Sequence, residues 1–340
     1  MLRFVVRRLL LMVPVLIGLS VLLFAWLRAL PGDPASALLG DKATPEAVAR
    51  INAQYGFDQP LPVQYVKYVS QLIQGDFGNS PRTGQPVVGT FIERFPATIE
   101  LSLAALLFAL VVGIPLGYFA AKRAGGILDT IAVTNSLIGV VIPVFVLAYL
   151  LKVIFAIGIP GLEFLAILPT SGRQNVRLEA THITNLYVLD GLMTREFDAA
   201  WDAIKHLILP GIALGSIPLA AVTRMTRASV LDVLGEDYVR TATAKGLAQG
   251  LINRRHVLKN AMLPIITTIG LQTGHLLSGA VLTEGVFAFN GIGSYLFEAI
   301  SSLDYAVLQG FILFIAIIYA LVNLLVDLLY GVFDPRMRAS

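Results

Sequence analysis

The chain lacks cysteine altogether and has few charged residues. Without cysteine, the 340 residues can form no disulfide, no thiolate nucleophile and no cysteine metal site. Charged side chains make up 14% of the chain, against about 25% in an ordinary soluble domain. Hydrophobic residues make up 56%, and this balance indicates a membrane protein.

Two nucleotide-related motifs are also missing. None of the lysines is followed by Ser or Thr, so the chain has no P-loop and any ATP must be hydrolysed by another protein. No basic run is interleaved with aromatic residues in the manner of a single-strand binder, which excludes nucleic acid as a partner. The net charge of +3 therefore reflects membrane topology.

Apolar runs long enough to cross a membrane are abundant. A helix of roughly 20 residues spans the hydrocarbon layer, and no alternating segments of about 10 residues suggest a membrane barrel. We predict an all-α polytopic membrane protein with six transmembrane helices, in which Pro210 and Pro218 break a short fourth span. The predicted spans cover residues 9–27, 101–121, 130–151, 207–223, 261–283 and 305–326.

The first span resembles a signal peptide in having Arg3, Arg7 and Arg8 ahead of an apolar run. Its apolar run exceeds the 7 to 15 residues of a typical signal core, so an uncleaved helix is favoured. Basic residues are retained on the cytoplasmic side during insertion, and placing both termini there puts more than half of the 25 Lys and Arg residues inside. We therefore predict cytoplasmic termini.

The two large outer segments are predicted to be partly folded. In residues 28–100, Thr44 is suited to cap a helix, Pro45 to open it and Gly56 to end it, and a second helix over 63–74 stops at Gly75. Residues 160–205 are predicted to form a second lid. The last outer loop is expected to present three solvated acids, Glu284, Glu298 and Asp304.

The connection between the fourth and fifth spans is a basic amphipathic loop. Asp237 is a plausible N-cap, residues 238–245 favour a helix, and Gly246 fits the left-handed C-terminal position. Farther along, an apolar face is predicted from Leu251, Leu258 and Met262. Opposite it lie Arg254, Arg255 and Lys259.

Such a loop has two possible roles. It could lie on lipid headgroups, as basic amphipathic helices often do. It could instead dock a soluble partner, which the small face of Thr241, Ala242 and Ala244 and the neighbouring acids Glu236 and Asp237 favour. Charge alone does not separate the two.

The loop resembles the cytoplasmic signature loop of ABC importer permeases, whose general form is Glu-Ala-Ala, three residues, then Gly. Arg240-Thr241-Ala242 stands where Glu-Ala-Ala would, and Gly246 falls at the matching spacing. The variant here is similar to the dipeptide/oligopeptide/nickel branch, and especially to the first permease subunit of its dipeptide importers. Further matching pieces are Leu30-Pro-Gly-Asp-Pro34, Gly75-Asp-Phe-Gly-Asn-Ser80, Leu282-Thr-Glu-Gly-Val-Phe287, Asn290-Gly-Ile-Gly293, Asp304-Tyr305 and Asp334-Pro-Arg336.

The resemblance implies a type I ABC importer permease fold in a bacterial plasma membrane. It also implies a second homologous permease, two ATP-binding subunits that hold ATP and Mg, an extracytoplasmic solute-binding protein and a peptide cargo, with no cofactor or metal in this chain. The implied domains are residues 1–27, a cap loop over 28–100 and a five-helix core over 101–340 with a coupling loop over 224–260. The implied ATPase-coupling residues are Glu236, Asp237, Tyr238, Arg240, Thr241, Ala242, Lys245 and Gly246.

Polar residues inside apolar spans are candidates for the translocation path, because a lipid-facing position would be costly. Asn135, Gln272, His275 and Asn323 qualify, although hydrogen bonds between helices also explain them. Other cargoes of the branch, namely nickel chelates, glutathione or haem, stay open. A self-contained secondary transporter is the alternative class, but the span centres contain no Asp, Glu, Lys or Arg for ion coupling. An intramembrane enzyme is less favoured because no Ser/His or carboxylate pair occurs at helical spacing within the spans.

Overall fold

The computed structural model describes residues 2–29, 34–39, 43–56, 58–80, 82–178, 180–302 and 304–333. Within these ranges nearly all regular structure is helical, and the strand pairing is limited to an isolated bridge between Asn79 and Pro86. The predicted all-α class is confirmed. The chain divides into two compact units, Met1–Pro96 with Gly291–Leu321 and Ala97–Asn290 with Val322–Ser340.

The helices are numbered in chain order. They are α1 (Leu2–Ala29), α2 (Pro34–Leu39), α3 (Pro45–Tyr55), α4 (Leu61–Ile73), α5 (Val87–Lys122), α6 (Ile127–Val141), α7 (Val144–Lys152), α8 (Tyr187–Met193), α9 (Phe197–Leu234), α10 (Asp237–Ala244), α11 (Gln249–Leu251), α12 (Lys259–Phe287), α13 (Ile292–Ser301) and α14 (Tyr305–Phe333). Two π-helical segments, Val153–Ile157 and Ile252–Leu258, follow α7 and precede α12.

The membrane-length helices agree only partly with the six predicted spans. Among the described residues, four helices are long and apolar enough to cross a membrane, over Val6–Trp26, Val87–Lys122, Phe197–Leu234 and Tyr305–Val326. A fifth candidate is the bent pair Gln249–Leu276 and Ala280–Phe287, whose halves meet at 55°. These five cover the first, second, fourth, fifth and sixth predictions.

The structure differs from the prediction at the third and the fourth span, and both differences concern proline. The third span is divided between α6 and α7, because Pro143 has no N–H to donate and disfavours a helical residue before it. The expected break in the fourth span is wrong: α9 continues through Pro210 and Pro218 for 38 residues. Membrane helices tolerate internal proline where neighbouring helices surround them, and α9 is the most buried of the four long helices.

The segment between α1 and α5 contains the predicted helices. Thr44 Oγ1 accepts a hydrogen bond from the Ala47 N–H at 3.2 Å, so it caps α3, and Gly56 ends that helix with φ +70°. Helix α4 ends just before Gly75, whose φ is +78°. Residues 30–33 of the proline-glycine cluster lie outside the described residues.

The core of the first unit is aromatic and joins the segment after α4 to α13 and α14. Phe77 stacks on Phe314 at a ring-centroid distance of 4.2 Å, and Phe91 meets the edge of Phe311 at 5.1 Å. At the start of α14, Asp304 accepts hydrogen bonds from the Val307 N–H at 3.2 Å and from Ser80 Oγ at 2.5 Å.

The expectation of three solvated outer acids is therefore wrong for two of them. Asp304 is buried by its capping role, and Glu284 is fully buried within α12, where it accepts a hydrogen bond from Thr98 Oγ1 at 2.5 Å. Glu298 is the exposed one, and it forms an ion pair with Arg82 at 2.9 Å. Glu284 and Asp304 lie near a loop in the sequence, and that position alone did not predict that their side chains are buried.

Helix α9 forms the centre of the second unit because its neighbours approach it at glycines. A Cβ at Gly117 of α5 would lie 2.5 Å from the Thr223 carbonyl oxygen, and one at Gly215 of α9 would lie 2.7 Å from the Ala105 carbonyl oxygen. Small residues at helix interfaces let membrane helices pack closely. Glycine is thus required where α5 crosses α9.

Gly117→Ala tests this close crossing. The added methyl group forces α5 away from α9, and overpacking of this kind costs about 1–3 kcal/mol, so we expect a lower melting temperature in detergent. Gly18→Ala is the matched control, because Gly18 lies inside α1 with nothing within 4 Å of its Cβ position. Equal melting temperatures for the two variants would contradict the crossing described here.

Candidate functional site

Helix α10 is a short, well-defined helix in the connection between α9 and α12. Glu236 is its N-cap residue, with extended backbone (φ −71°, ψ 144°) and no side-chain capping bond. The prediction of Asp237 as N-cap is thus off by one residue. Asp237 begins the helix instead, where a carboxylate interacts favourably with the positive end of the helix dipole.

The C-terminus of α10 is closed by a Schellman motif. Gly246 adopts φ +74°, its N–H donates to the Thr243 carbonyl at 3.0 Å, and the Leu247 N–H donates to the Ala242 carbonyl at 3.3 Å. Gly adopts a left-handed conformation without the penalty of a Cβ. The predicted left-handed glycine is confirmed, and the helix has a fixed end.

One face of α10 is buried against the transmembrane helices. Val239 and Ala242, three residues apart, are 6% and 5% exposed. They belong to a hydrophobic cluster whose other fully buried members are Ala121, Val230, Ile252, Val257, Ala261 and Ile265. This cluster draws on α5, α9, the π-helix and α12, so α10 is anchored to four other segments.

The burial of Ala242 corrects the predicted docking face. Thr241 and Ala244 are exposed, but Ala242 packs inside the chain and supports α10 from beneath. Val239 was missed by the sequence reasoning. Its i, i+3 relation to Ala242 was the available signal, because such residues share a helix face.

The opposite face of α10 is polar and accessible. Arg240 lies 3.6 Å from Asp237, one turn earlier, and both side chains are largely exposed. Tyr238, 40% exposed, accepts a hydrogen bond at its Oη from Asn260 Nδ2 at 3.1 Å. That bond ties the exposed face to the first turn of α12, and Asn260 is a second residue that the sequence reasoning missed.

The segment after α10 differs from the predicted amphipathic helix. The π-helix Ile252–Leu258 places Ile252 and Val257 on the buried side, five residues apart, whereas the predicted Leu251 is 44% exposed. A π-helix bonds residues i and i+5, so the α-helical period is wrong for Leu251, whereas the predicted Met262 does pack against the buried cluster. Arg254, Arg255 and Lys259 are exposed as predicted.

A shallow groove of about 500 Å³ runs beside α10. Its walls come from α10, the end of α9 and the start of the π-helix. The lining residues are Lys122, Leu234, Val239, Arg240, Thr243, Ala244, Gln249, Ile252 and Asn253. The groove and the exposed face of α10 together form a basic, structured surface.

An ion pair joins α6 to α9 about two helical turns before the end of α9. Arg227 Nη2 donates to Asp129 Oδ2 at 2.7 Å, and Arg227 Nε donates to the other carboxylate oxygen. Arg227 and the Gly125 N–H together lower the pKa of Asp129 to about 2. The carboxylate is therefore ionised at neutral pH, and the bidentate pair fixes the end of α6 against α9.

The candidate path residues are less well defined by the structure. Gln272 and His275 both lie on α12, three residues apart; Gln272 is partly buried and His275 exposed. Asn323, on α14, is partly buried, and the side chain of Asn135 lies outside the described residues. Within the described part of the chain, no cluster of three or more His, Asp or Glu side chains is arranged to hold a metal ion.

Two family models match the chain. The model described as "Binding-protein-dependent transport system inner membrane component" matches residues 113–339, and its N-terminal companion, a transport system membrane component, matches residues 1–104. The larger match includes α10 and the groove beside it.

Curated relatives are similar over almost the whole chain. A dipeptide transport system permease protein, DppB, of Alkalihalophilus pseudofirmus is 45% identical over 99% of this chain and 100% of its own length. DppB of Escherichia coli K12 is 43% identical over 99% of both chains. A di/tripeptide transport system permease protein of Pseudomonas aeruginosa is 44% identical, again over 99% of both.

Ala242→Glu tests the anchoring of α10. A carboxylate at this position would be buried in an apolar cluster without a partner, which costs several kcal/mol, so we expect a large drop in melting temperature and in the yield of monodisperse protein. Ala244→Glu, on the exposed side of the same helix, is the matched control and should leave both values unchanged. If Ala242→Glu were as stable as the control, α10 would not be anchored by this face.

Proposed function

We propose that this chain, which belongs to the binding-protein-dependent transport system inner membrane component family, forms part of the translocation path of an ATP-driven importer of dipeptides or oligopeptides. Support for peptide cargo comes from relatives 43–45% identical over nearly the full length that are named for dipeptide or di/tripeptide transport. Nickel chelates, glutathione and haem are the alternative cargoes.

The importer requires other subunits. The chain has no P-loop, so ATP and Mg are bound by two ATPase subunits on the cytoplasmic side. A second homologous permease completes the path, and an extracytoplasmic solute-binding protein delivers the peptide. The basic residues around α10 support a bacterial plasma membrane topology with both termini in the cytoplasm.

Helix α10 is proposed to couple this chain to an ATPase subunit. The observation that carries this proposal is the division of α10 into a buried face, Val239 and Ala242, and an exposed polar face, Tyr238, Arg240 and Thr241. A helix anchored to α5, α9 and α12 moves together with them. Displacement of a docked ATPase is thereby transmitted to the transmembrane helices as a rigid-body shift rather than absorbed in a flexible loop.

The remaining predicted coupling residues have distinct parts in this arrangement. Glu236 and Asp237 open the helix, Lys245 adds a cation at its end, and Gly246 stops it. Ala242 acts from beneath, through packing. For the path itself we propose Asn135, Gln272, His275 and Asn323, with hydrogen bonding between helices as the alternative role.

Gly246→Pro tests coupling through the fixed end of α10. Proline requires φ near −65° and has no N–H, so it removes both the left-handed turn and the bond to Thr243. In the assembled complex we expect ATP hydrolysis stimulated by the loaded binding protein to fall about tenfold, with normal membrane insertion. Gly250→Ala is the control, because Gly250 has a negative φ and open space at its Cβ position. Unchanged stimulation in Gly246→Pro would rule out α10 as the coupling element.

The cargo assignment is tested by isolating the complex through a tag on this chain and identifying the co-purifying subunits by mass spectrometry. We expect two P-loop ATPases and a second permease, and ATP hydrolysis that rises when the binding protein carries a dipeptide or oligopeptide. A rise only with a nickel chelate, glutathione or haem would replace the peptide assignment. A lone chain that transports solute without ATP would overturn the importer proposal.

A further inference from the structure

A polar cavity of about 720 Å³ lies within the first unit, formed by the end of α1, helix α4, the turn after it and the first two turns of α14. Tyr68, Tyr305 and Gln309 all line it, and each has a buried polar atom without a hydrogen-bond partner: the two phenol oxygens and the amide Nε2. Tyr305 is only 6% exposed. Buried polar groups are normally paired, so three unpaired ones around a single cavity are available to a bound ligand.

The unpaired groups point to the chemistry of that ligand. An amide nitrogen is a donor and a phenol can donate, so the cavity offers donors to an acceptor-rich group. Burial, with a smaller contribution from Tyr65, raises the pKa of the Tyr68 phenol above its usual range, which keeps its proton in place. The cavity also contains two cations, Arg28 and Lys67, and Arg28 Nε donates to Gln64 Oε1 at 3.0 Å. Among the described lining residues these cations outnumber the one carboxylate, Asp76, which accepts a hydrogen bond from the Gly78 N–H at 2.9 Å.

An apolar groove adjoins the cavity on α4. That groove, of about 350 Å³, shares the lining residues Val66 and Ser70 with the polar cavity. Val66 and Ile73, which line it, are 67% and 81% exposed. A polar pocket beside an apolar groove fits a molecule with a polar head and an apolar tail.

The surroundings place this pair of sites at the level of lipid headgroups. Helix α1 exposes Leu22 and Trp26, and its Phe24 packs against Tyr65 and Tyr68 of α4 at ring-centroid distances of 5.4 and 6.0 Å. Aromatic residues of this kind collect at membrane–water interfaces. An amphipathic helix such as α4 also suits an interfacial position.

We propose that the cavity between α1, α4 and α14 binds the phosphate headgroup of a phospholipid, with an acyl chain in the adjoining groove on α4. Arg28, Tyr68, Tyr305 and Gln309 would contact the phosphate oxygens. The bound lipid would complete the hydrogen bonding of the outer end of α14 and hold α4 against α1. This site is separate from α10 and does not depend on which solute is carried.

The test uses the purified complex with its partner subunits, stripped of lipid in detergent and titrated with phosphatidylglycerol under native mass spectrometry. The variant is the triple substitution Tyr68→Phe, Tyr305→Phe and Gln309→Leu, which removes the unpaired donors while keeping the side-chain volumes similar. Loss of these hydrogen bonds should weaken retention of one lipid by at least about tenfold. Tyr295→Phe is the matched control: Tyr295 lies on α13 of the same unit and lines neither the cavity nor the groove.

A second readout locates the lipid. Photoactivatable phosphatidylglycerol should label peptides within residues 61–79 or 304–310 of the wild type and of Tyr295→Phe, but not of the triple variant. Equal lipid retention by the wild type and the triple variant would overturn the proposal. So would labelling confined to other regions, or protection of the site by inorganic phosphate or a free dipeptide with no binding of lipid.

Discussion

The burial of Val239 and Ala242 is the contact on which the arrangement of the loop between α9 and α12 depends. These two side chains enter a cluster formed by α5, α9, the π-helix and α12, so a loop rich in charge is held in one position. The Schellman stop at Gly246 and the bond between Asn260 and Tyr238 then fix the length and orientation of α10. Without the buried face, the exposed one would have no defined relation to the membrane helices.

The close packing that holds α10 extends to the transmembrane helices. Helix α9 is the most buried of the long helices, and α5 crosses it so closely that Gly117 and Gly215 leave no room for a Cβ. The ion pair between Asp129 and Arg227 adds α6 to the same assembly. A force applied at α10 would therefore reach several membrane helices through packed contacts rather than through loops.

Many features of the fold and of α10 could be predicted from the sequence because they depend on local signals. The Thr44 cap, Gly56 and Gly246 each act through their own backbone or a near neighbour, and their roles were predicted correctly. Of the six predicted apolar spans, five match membrane-length helices when the bent pair counts as one. The predictions that failed concern features that are set by residues distant in the sequence. Proline breaks a helix at Pro143 but not at Pro210 or Pro218, which only the neighbours of α9 decide, and the inward turn of Glu284 requires Thr98 on another helix. The prediction that Leu251 is buried failed because the π-helix that follows does not have the 3.6 residues per turn of an α-helix.

The most direct test of the coupling account uses the absence of native cysteine, which gives this chain no background thiol. In the assembled importer, a thiol-to-photoreactive crosslinker would be placed at Thr241→Cys on the exposed face of α10 and, for comparison, at Ala242→Cys on the buried face. The account predicts efficient crosslinking of Thr241→Cys to the ATPase subunit and little labelling of Ala242→Cys. Equal crosslinking from both positions, or none from Thr241→Cys, would contradict it.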